Sequence, residues 1–159
     1  MLPLEIVEVS LVETKRMLKR YQLTNEFSVL LEGWVDAHSE RFLMLYRGAA
    51  VLKSDIINGQ YVRKGLSSWT FNKDIAYTFA DNFALSVGGD YVPSILILED
   101  GCGVSINDVL LDSLYPNEEE VVVADTVFDI IDVMPFEKEE DLYYELIVKP
   151  VNFRREIFI

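Results

Sequence analysis

The chain has 159 residues, half of them hydrophobic and 12% aromatic, which fits one globular domain with a sizeable core and excludes a disordered chain. No stretch reaches transmembrane length, the opening MLPLEIVEVS carries Glu5 and Glu8 but no basic cluster and so does not read as a signal peptide, and a single cysteine (Cys102) and a single histidine (His38) exclude a disulfide framework, a multi-thiolate zinc site and a multi-histidine metal site. The net charge of −13 is lopsided, with 10 Lys+Arg against 11 Asp+Glu in residues 1–90 and 4 against 16 in residues 91–159, a balance that repels nucleic-acid phosphates and anionic lipids and attracts basic partners.

The N-terminal third predicts helices. A first one over about residues 10–21 carries Leu11, Leu18 and Tyr21 along one side. In the next, Phe27, Leu30, Leu31, Trp34, Val35 and His38 recur at helical spacing, with Thr24 as the expected cap. His38 then reads as a polar residue near a helix end. From residue 42 the pattern changes. RFLMLYRG reads as a short buried strand ended by Arg47-Gly48, and GQYVRKGLSSW as a second strand interrupted at Gly65. Ala76, Phe79, Ala80 and Phe83 mark a helix that Asn72 is placed to cap. VPSILILED predicts a strand ended by a Gly-rich turn at 101–103, and Asn107 opens a short helix through about residue 113. EEVVVAD, VFDIIDVMP and LYYELIVKP supply further strands. Helices first, then mostly strands, is the order of an α+β fold. The expected organisation is one domain over 1–159, a helical layer at 1–40 and a mainly β core at 41–159.

Three places put polar groups where the pattern expects core. Arg47 closes an apolar run, Ser67 and Ser68 sit in a strand beside Trp69, and Glu118, Glu119 and Glu120 run straight into Val121, Val122 and Val123. Taken singly, each has an ordinary explanation: a surface ion pair, a half-buried strand, a solvated turn. Local patterns tend to be broken where a chain does chemistry, so the three count together.

In this order they resemble the arginine-serine-glutamate class of mono-ADP-ribosyltransferases, enzymes that transfer ADP-ribose from NAD. The aromatic-arginine-glycine motif is matched by Tyr46-Arg47-Gly48, and the Ser-x-Ser/Thr motif by Ser68-Trp69-Thr70. The Ala-x-x-Phe-Ala helix is matched by Ala76–Ala80, and the aromatic-x-x-Glu/Gln-x-Glu loop by Tyr115–Glu120. Trp69 is bulkier than the familiar threonine. Glu119 fills a variable position and makes the register ambiguous by one residue; Glu120 is assigned because it directly precedes the apolar strand.

The resemblance implies an ADP-ribosyltransferase-like fold, helices on two roughly perpendicular β-sheets with NAD in the cleft between, and no metal. Glu120 would stabilise the cationic ribose left as nicotinamide departs, a problem similar to glycoside hydrolysis. Strand residues two apart share a face, so Glu118 would stand beside Glu120 and meet the nucleophile. A carboxylate there suits a guanidinium, and in the family Glu at this position goes with arginine acceptors. Arg47 would hold the NAD phosphates or adjoining ribose, and Tyr46 and Thr70 complete the cofactor-binding set with Phe79. Gly48 would let the backbone approach the nicotinamide amide. Ser68 would lock Glu120, and Tyr115 would offer a stackable surface to the target. Phe71, Phe79 and Tyr91 are candidates for stacking on nicotinamide.

The implied partners are NAD, a protein with an accessible arginine in a basic region, and, for a bacterial or phage toxin or effector of the cytosol, a neutralising antitoxin or immunity protein. A nucleobase or water as acceptor is the alternative chemistry, with Arg63-Lys64 as a local basic patch. A non-catalytic acidic inhibitor that imitates nucleic acid is the alternative of another class, and it predicts no NAD binding.

Overall fold

A computed structural model describes residues 4–84, 89–138 and 140–151, with side chains omitted at 4–10, 83 and 84. In chain order the elements are α1 (Leu4–Thr24), α2 (Val29–His38), β1 (Glu40–Leu52), α3 (Lys53–Asn58), β2 (Gln60–Val62), β3 (Ser67–Thr70), α4 (Lys73–Ala84), β4 (Tyr91–Ser105), α5 (Ile106–Val109), a 3-10 turn (Pro116–Glu118), β5 (Glu120–Val123), β6 (Val127–Lys138) and β7 (Asp141–Pro150). Among the described residues, no helix is long and apolar enough to cross a membrane, and no three His, Cys, Asp or Glu side chains are grouped to hold a metal.

β1 runs antiparallel to β4 over nearly its whole length, from Glu40 opposite Gly103 to Leu52 opposite Tyr91. On the far side of β4 lie β7, which is parallel to it, then β6, then β2. On the other side β3 bridges β1 to β5, and β5 returns to the end of β4. Hydrogen bonding thus links all seven strands in the order β1-β3-β5-β4-β7-β6-β2, with β1–β4 as an added pairing. The fold is α+β, its N-terminal helices packed on a largely antiparallel sheet system. The added pairing closes β1, β3, β5 and β4 into a ring, and β7, β6 and β2 extend from β4.

Leu45, Trp69, Leu96, Phe128 and Leu146 are all but inaccessible and form the main core. Each such side chain contributes roughly 1.5–3 kcal/mol by leaving water. The helical layer adds a second core, in which Leu18 and Tyr21 of α1 and Leu31 and Val35 of α2 meet Val104, Ile106 and Val122. The expected helix faces need correction. α1 is longer than 10–21, and Leu11 is 43% exposed. Phe27 and Leu30 are exposed too, so α2 buries the narrower Leu31/Val35 stripe. Thr24 ends α1 instead of capping α2; the cap is Ser28, whose Oγ accepts from the Leu31 N–H at 3.2 Å. His38 is the last residue of α2, stacked on Trp34.

Four strand expectations also change. β1 continues past Arg47-Gly48 to Leu52, because Ala49, Val51 and their β4 partners extend the buried ladder. The single strand expected over 59–69 is two, β2 and β3, which pair with different partners, and Gly65 at φ +73° is the break between them. Residues 101–103 form no turn: they lie within β4, where a Cβ at Gly103 would come within 2.6 Å of Val121 Cγ1. The glycine there permits close strand contact. β5 begins only at Glu120, so Glu118 and Glu119 precede the strand. Among the helices, α5 ends at Val109, not near 113, and α3 has no counterpart among the expected elements.

α4 starts where expected, with Asn72 Oδ1 accepting from the Asp74 N–H at 3.0 Å. Ala76 and Ala80 face Ile95 and Tyr143, while the side chain of Phe83 lies outside the described residues. α4 crosses β1 at Gly48, where a Cβ would stand 2.0 Å from the Ala76 carbonyl oxygen and 2.7 Å from the Ala80 nitrogen. Both are helix backbone and cannot swing away. Gly48→Ala is therefore expected to cost about 3 kcal/mol and lower the thermal midpoint by roughly 6–12 °C, read by circular dichroism.

Candidate active site

The site grows out of the β3–β5 ladder. Ser67, Ser68, Trp69 and Thr70 lie opposite Val123, Val122, Val121 and Glu120. Side chains alternate along a strand, so Ser67 and Trp69 share one face and Ser68 and Thr70 the other. Trp69 is 2% exposed, packs on Phe128 at 5.5 Å between ring centres, and donates its indole N–H to Ser67 Oγ at 2.8 Å. That accounts for a tryptophan at this position: it fills core. Ser68 turns to the opposite side, where Glu120 is its diagonal neighbour across the ladder.

Glu120 is 8% exposed, and both its oxygens are engaged. Ser68 Oγ donates to Oε2 at 2.6 Å, and Gln22 Nε2 donates to Oε1 at 3.0 Å. A carboxylate only accepts, so the one Ser68 proton is committed to it. Tyr21, whose hydroxyl lies 2.8 Å from Ser68 Oγ, must then be the donor in that pair. Burial, with the nearby Glu120 charge adding to it, pushes the Tyr21 phenol above its ordinary value, and the Ser68 hydrogen bond opposes that only in part. The phenol therefore stays protonated and able to donate near neutrality. Tyr21 and Gln22 lie outside the site that the motifs outline. Periodicity places Tyr21 in the core, and a polar residue beside an apolar stripe carries no signal of its own.

Arg47 lies mid-strand on β1. Its Nη1 donates to the Ser68 carbonyl at 2.7 Å and its Nε to the Tyr61 hydroxyl at 3.3 Å. The guanidinium is thus moored against the same strand that holds Ser68. A cavity of about 480 Å³ opens over these groups. Tyr46, Arg47, Gly48, Ser68, Thr70, Phe79, Tyr115, Glu118 and Glu120 all line it, so residues from each of the three motifs face one space. Its volume is that of an ordinary small-molecule site. Arg63 lines it as well, adding a second cation. Phe71 and Tyr91 are not among the lining residues; Phe71 instead meets Phe42 edge-on at 5.0 Å. Of the three aromatic candidates, the cavity holds Phe79.

Glu118 reaches the cavity by a route other than the one expected. It does not share a strand face with Glu120, because it closes the 3-10 turn Pro116–Glu118. Glu119 follows at φ +49°, a left-handed residue that turns the chain, and only then does β5 begin. Glu119 is outside the cavity lining. The turn is pinned on two sides: Thr70 Oγ1 donates to the Glu118 carbonyl at 2.8 Å, and Asn107 Nδ2 to the Pro116 carbonyl at 2.9 Å.

Burial, and secondarily the Glu120 charge, raises the Glu118 carboxyl above its ordinary range. A carboxyl raised in the folded state gives stability that is complete below its unfolded value and is lost as pH climbs through the folded one. At neutral pH the ionised side chain is therefore a burden on the fold. Glu118→Gln is expected to melt slightly higher than the parent at pH 7, solvent screening keeping the gain small, with the gap closing below about pH 4; melting curves across that range test it.

No family model matches the sequence, and neither does any curated protein. Solved structures do match. The ADP-ribosyltransferase toxin Plx2a from Paenibacillus larvae superposes with a TM-score of 0.60 at 13% identity, over 87% of this chain and 86% of that one. An ADP-ribosyltransferase from Clostridium botulinum gives 0.53 at 11% identity over 86% of both chains. The ADP-ribosyltransferase Vis, a toxin from Vibrio splendidus seen in complex with agmatine, gives 0.51 at 15% identity over 92% of this chain and 73% of that one. The chain carries the ADP-ribosyltransferase fold.

Proposed function

We propose that the chain is an NAD-dependent mono-ADP-ribosyltransferase whose acceptor is an arginine side chain of a protein. The observation that carries the reading is one cavity holding an arginine, a serine-braced carboxylate and a second carboxylate, drawn from three separate stretches of sequence. The likeness of fold and the motif resemblance support it independently.

NAD supplies the ADP-ribose and leaves nicotinamide behind. The residues then divide the work. Arg47, with Arg63 lining the same cavity, offers positive charge to a pyrophosphate that the strongly anionic chain would otherwise repel. Phe79 offers a ring beside Gly48 for nicotinamide to stack on. Glu120, held by Ser68 and Gln22, accepts from a ribose hydroxyl and faces the positive charge that builds as the glycosidic bond lengthens. Glu118 receives the guanidinium and takes the proton that its nitrogen sheds as it bonds to the ribose carbon nicotinamide has left. Its raised carboxyl is well suited, since an arriving cation relieves the repulsion from Glu120. Tyr115, 43% exposed at the rim, contacts the target protein. The agmatine complex of Vis supports the acceptor class, because agmatine is itself a guanidine.

The test begins with melting curves with and without NAD. A ligand that binds only the folded chain raises the midpoint. Labelled NAD is then supplied with agmatine and, separately, with cell lysates. Label on agmatine, and on lysate material that protease but not nuclease removes, is the expected result. Nuclease-sensitive label would move the acceptor to nucleic acid, and free ADP-ribose alone would make the protein a glycohydrolase. No NAD-dependent shift together with no label would overturn the enzymatic reading in favour of a binding protein.

A further inference from the structure

We infer that Gln22 is a positioning residue for Glu120 and ties that carboxylate to the loop that carries Tyr115 and Glu118; the inference rests on the function proposed above. None of the three motifs includes it. Gln22 is 8% exposed, and its amide is wholly committed to other protein groups. Nε2 donates to Glu120 Oε1 at 3.0 Å and to Ser113 Oγ at 2.9 Å, which uses both of its protons. Oε1 accepts from the Leu114 backbone N–H at 3.1 Å. One side chain of α1 thereby joins β5 to the segment just before Tyr115.

Its neighbour completes the grip. Tyr21 donates to Ser68, and Ser68 donates to the other Glu120 oxygen. Consecutive residues at the end of one helix therefore govern both oxygens, one directly and one through a serine. The last torsion of a glutamate is otherwise broad and two-fold. Held at both ends, the carboxylate presents its remaining lone pairs in a fixed direction. That matters for a group that must meet a ribose hydroxyl, since a misplacement of about 1 Å can lower a rate by roughly 10²-fold. The link to Ser113 and Leu114 gives the acceptor loop and the catalytic carboxylate a common anchor.

A purely structural role would also bury this amide, so the test needs a reading that stability alone does not move. Gln22→Asn keeps the amide but draws it back by one methylene from Glu120 Oε1. Gln22→Met keeps the bulk and loses every hydrogen bond. Ser113→Ala removes only one strut on the loop side. For each, kcat and KM for NAD are measured with agmatine as acceptor, beside a melting curve. Expected are a fall in kcat of about 30-fold for Gln22→Met, a fall of similar size for Gln22→Asn, and a KM for NAD within about threefold of the parent. Ser113→Ala should keep kcat within about threefold. Folded Gln22 variants that retain kcat, or that lose activity only through KM, would overturn the inference. If Gln22→Met does not fold, Gln22→Asn decides alone. A parent protein that cleaves no NAD would overturn the proposed function and this inference with it, whereas an active parent with unimpaired Gln22 variants overturns this inference alone.

Discussion

Changing Glu120 to glutamine is expected to slow NAD cleavage on the order of 10³-fold, with or without an acceptor, while the protein stays folded. The size follows from the charge that is lost. A carboxylate about 4 Å from a unit positive charge, at an effective dielectric near 20, is worth about 4 kcal/mol. That energy corresponds to roughly three powers of ten in rate. Shape and hydrogen bonds are largely kept. The new amide oxygen can accept from Gln22 Nε2, and the new amide nitrogen can face Ser68 Oγ if its proton turns away. Loss of activity with an unchanged melting curve therefore isolates charge from folding. Nicotinamide release, followed by chromatography, is the measurement. A variant within tenfold of the parent would mean that this carboxylate is not the one facing the ribose.

Glu118 is expected to separate the two halves of the reaction. Glu118→Gln should reduce transfer to agmatine by roughly 10²-fold, the cost of replacing a charge-assisted pair with the guanidinium by a neutral hydrogen bond in a half-buried site. NAD cleavage with water as acceptor should stay within about fivefold, since Glu120 and its supports are untouched. Acidity should mimic the substitution. Because the Glu118 carboxyl is raised by burial and by Glu120, protonation overtakes it at a higher pH than an ordinary carboxyl. In the parent, transfer should accordingly begin to fall on acidification at a higher pH than an ordinary carboxyl at this position would allow, and in Glu118→Gln that acid limb should be lost. An unchanged acid limb for transfer in Glu118→Gln, or equal losses of transfer and cleavage in that variant, would remove Glu118 from acceptor binding.

The motifs make Arg47, Ser68, Glu118 and Glu120 legible because each breaks a local pattern: a charge ending an apolar run, hydroxyls in a buried strand, carboxylates beside valines. They converge in one cavity, although the strand argument for Glu118 fails. Period-two reasoning holds only inside a ladder, and the left-handed Glu119 lies outside one. The extent of β1 and β4 is hidden for a related reason. Gly48 and Gly101-Cys102-Gly103 look like punctuation, yet at Gly48 and Gly103 the absent side chain lets a helix or a strand come close. Ser28 displaces Thr24 as a cap because α1 runs on through Thr24, which hydrogen-bonds back to the Arg20 carbonyl. Gln22 is illegible in the sequence, since its partners lie 91 to 98 positions away and only the tertiary fold brings them together.

The first helix carries one direct strut of the carboxylate, Gln22, and braces the other, Ser68, through Tyr21; it lies upstream of every recognisable motif. A chain beginning at residue 25 would still display the arginine, serine and glutamate signatures to any sequence survey, yet one oxygen of its glutamate would have lost its partner and the serine on the other its brace. Signature matching alone would not tell such a fragment from the whole chain. A sounder census would ask whether a polar pair on a preceding helix is there to steady the acid.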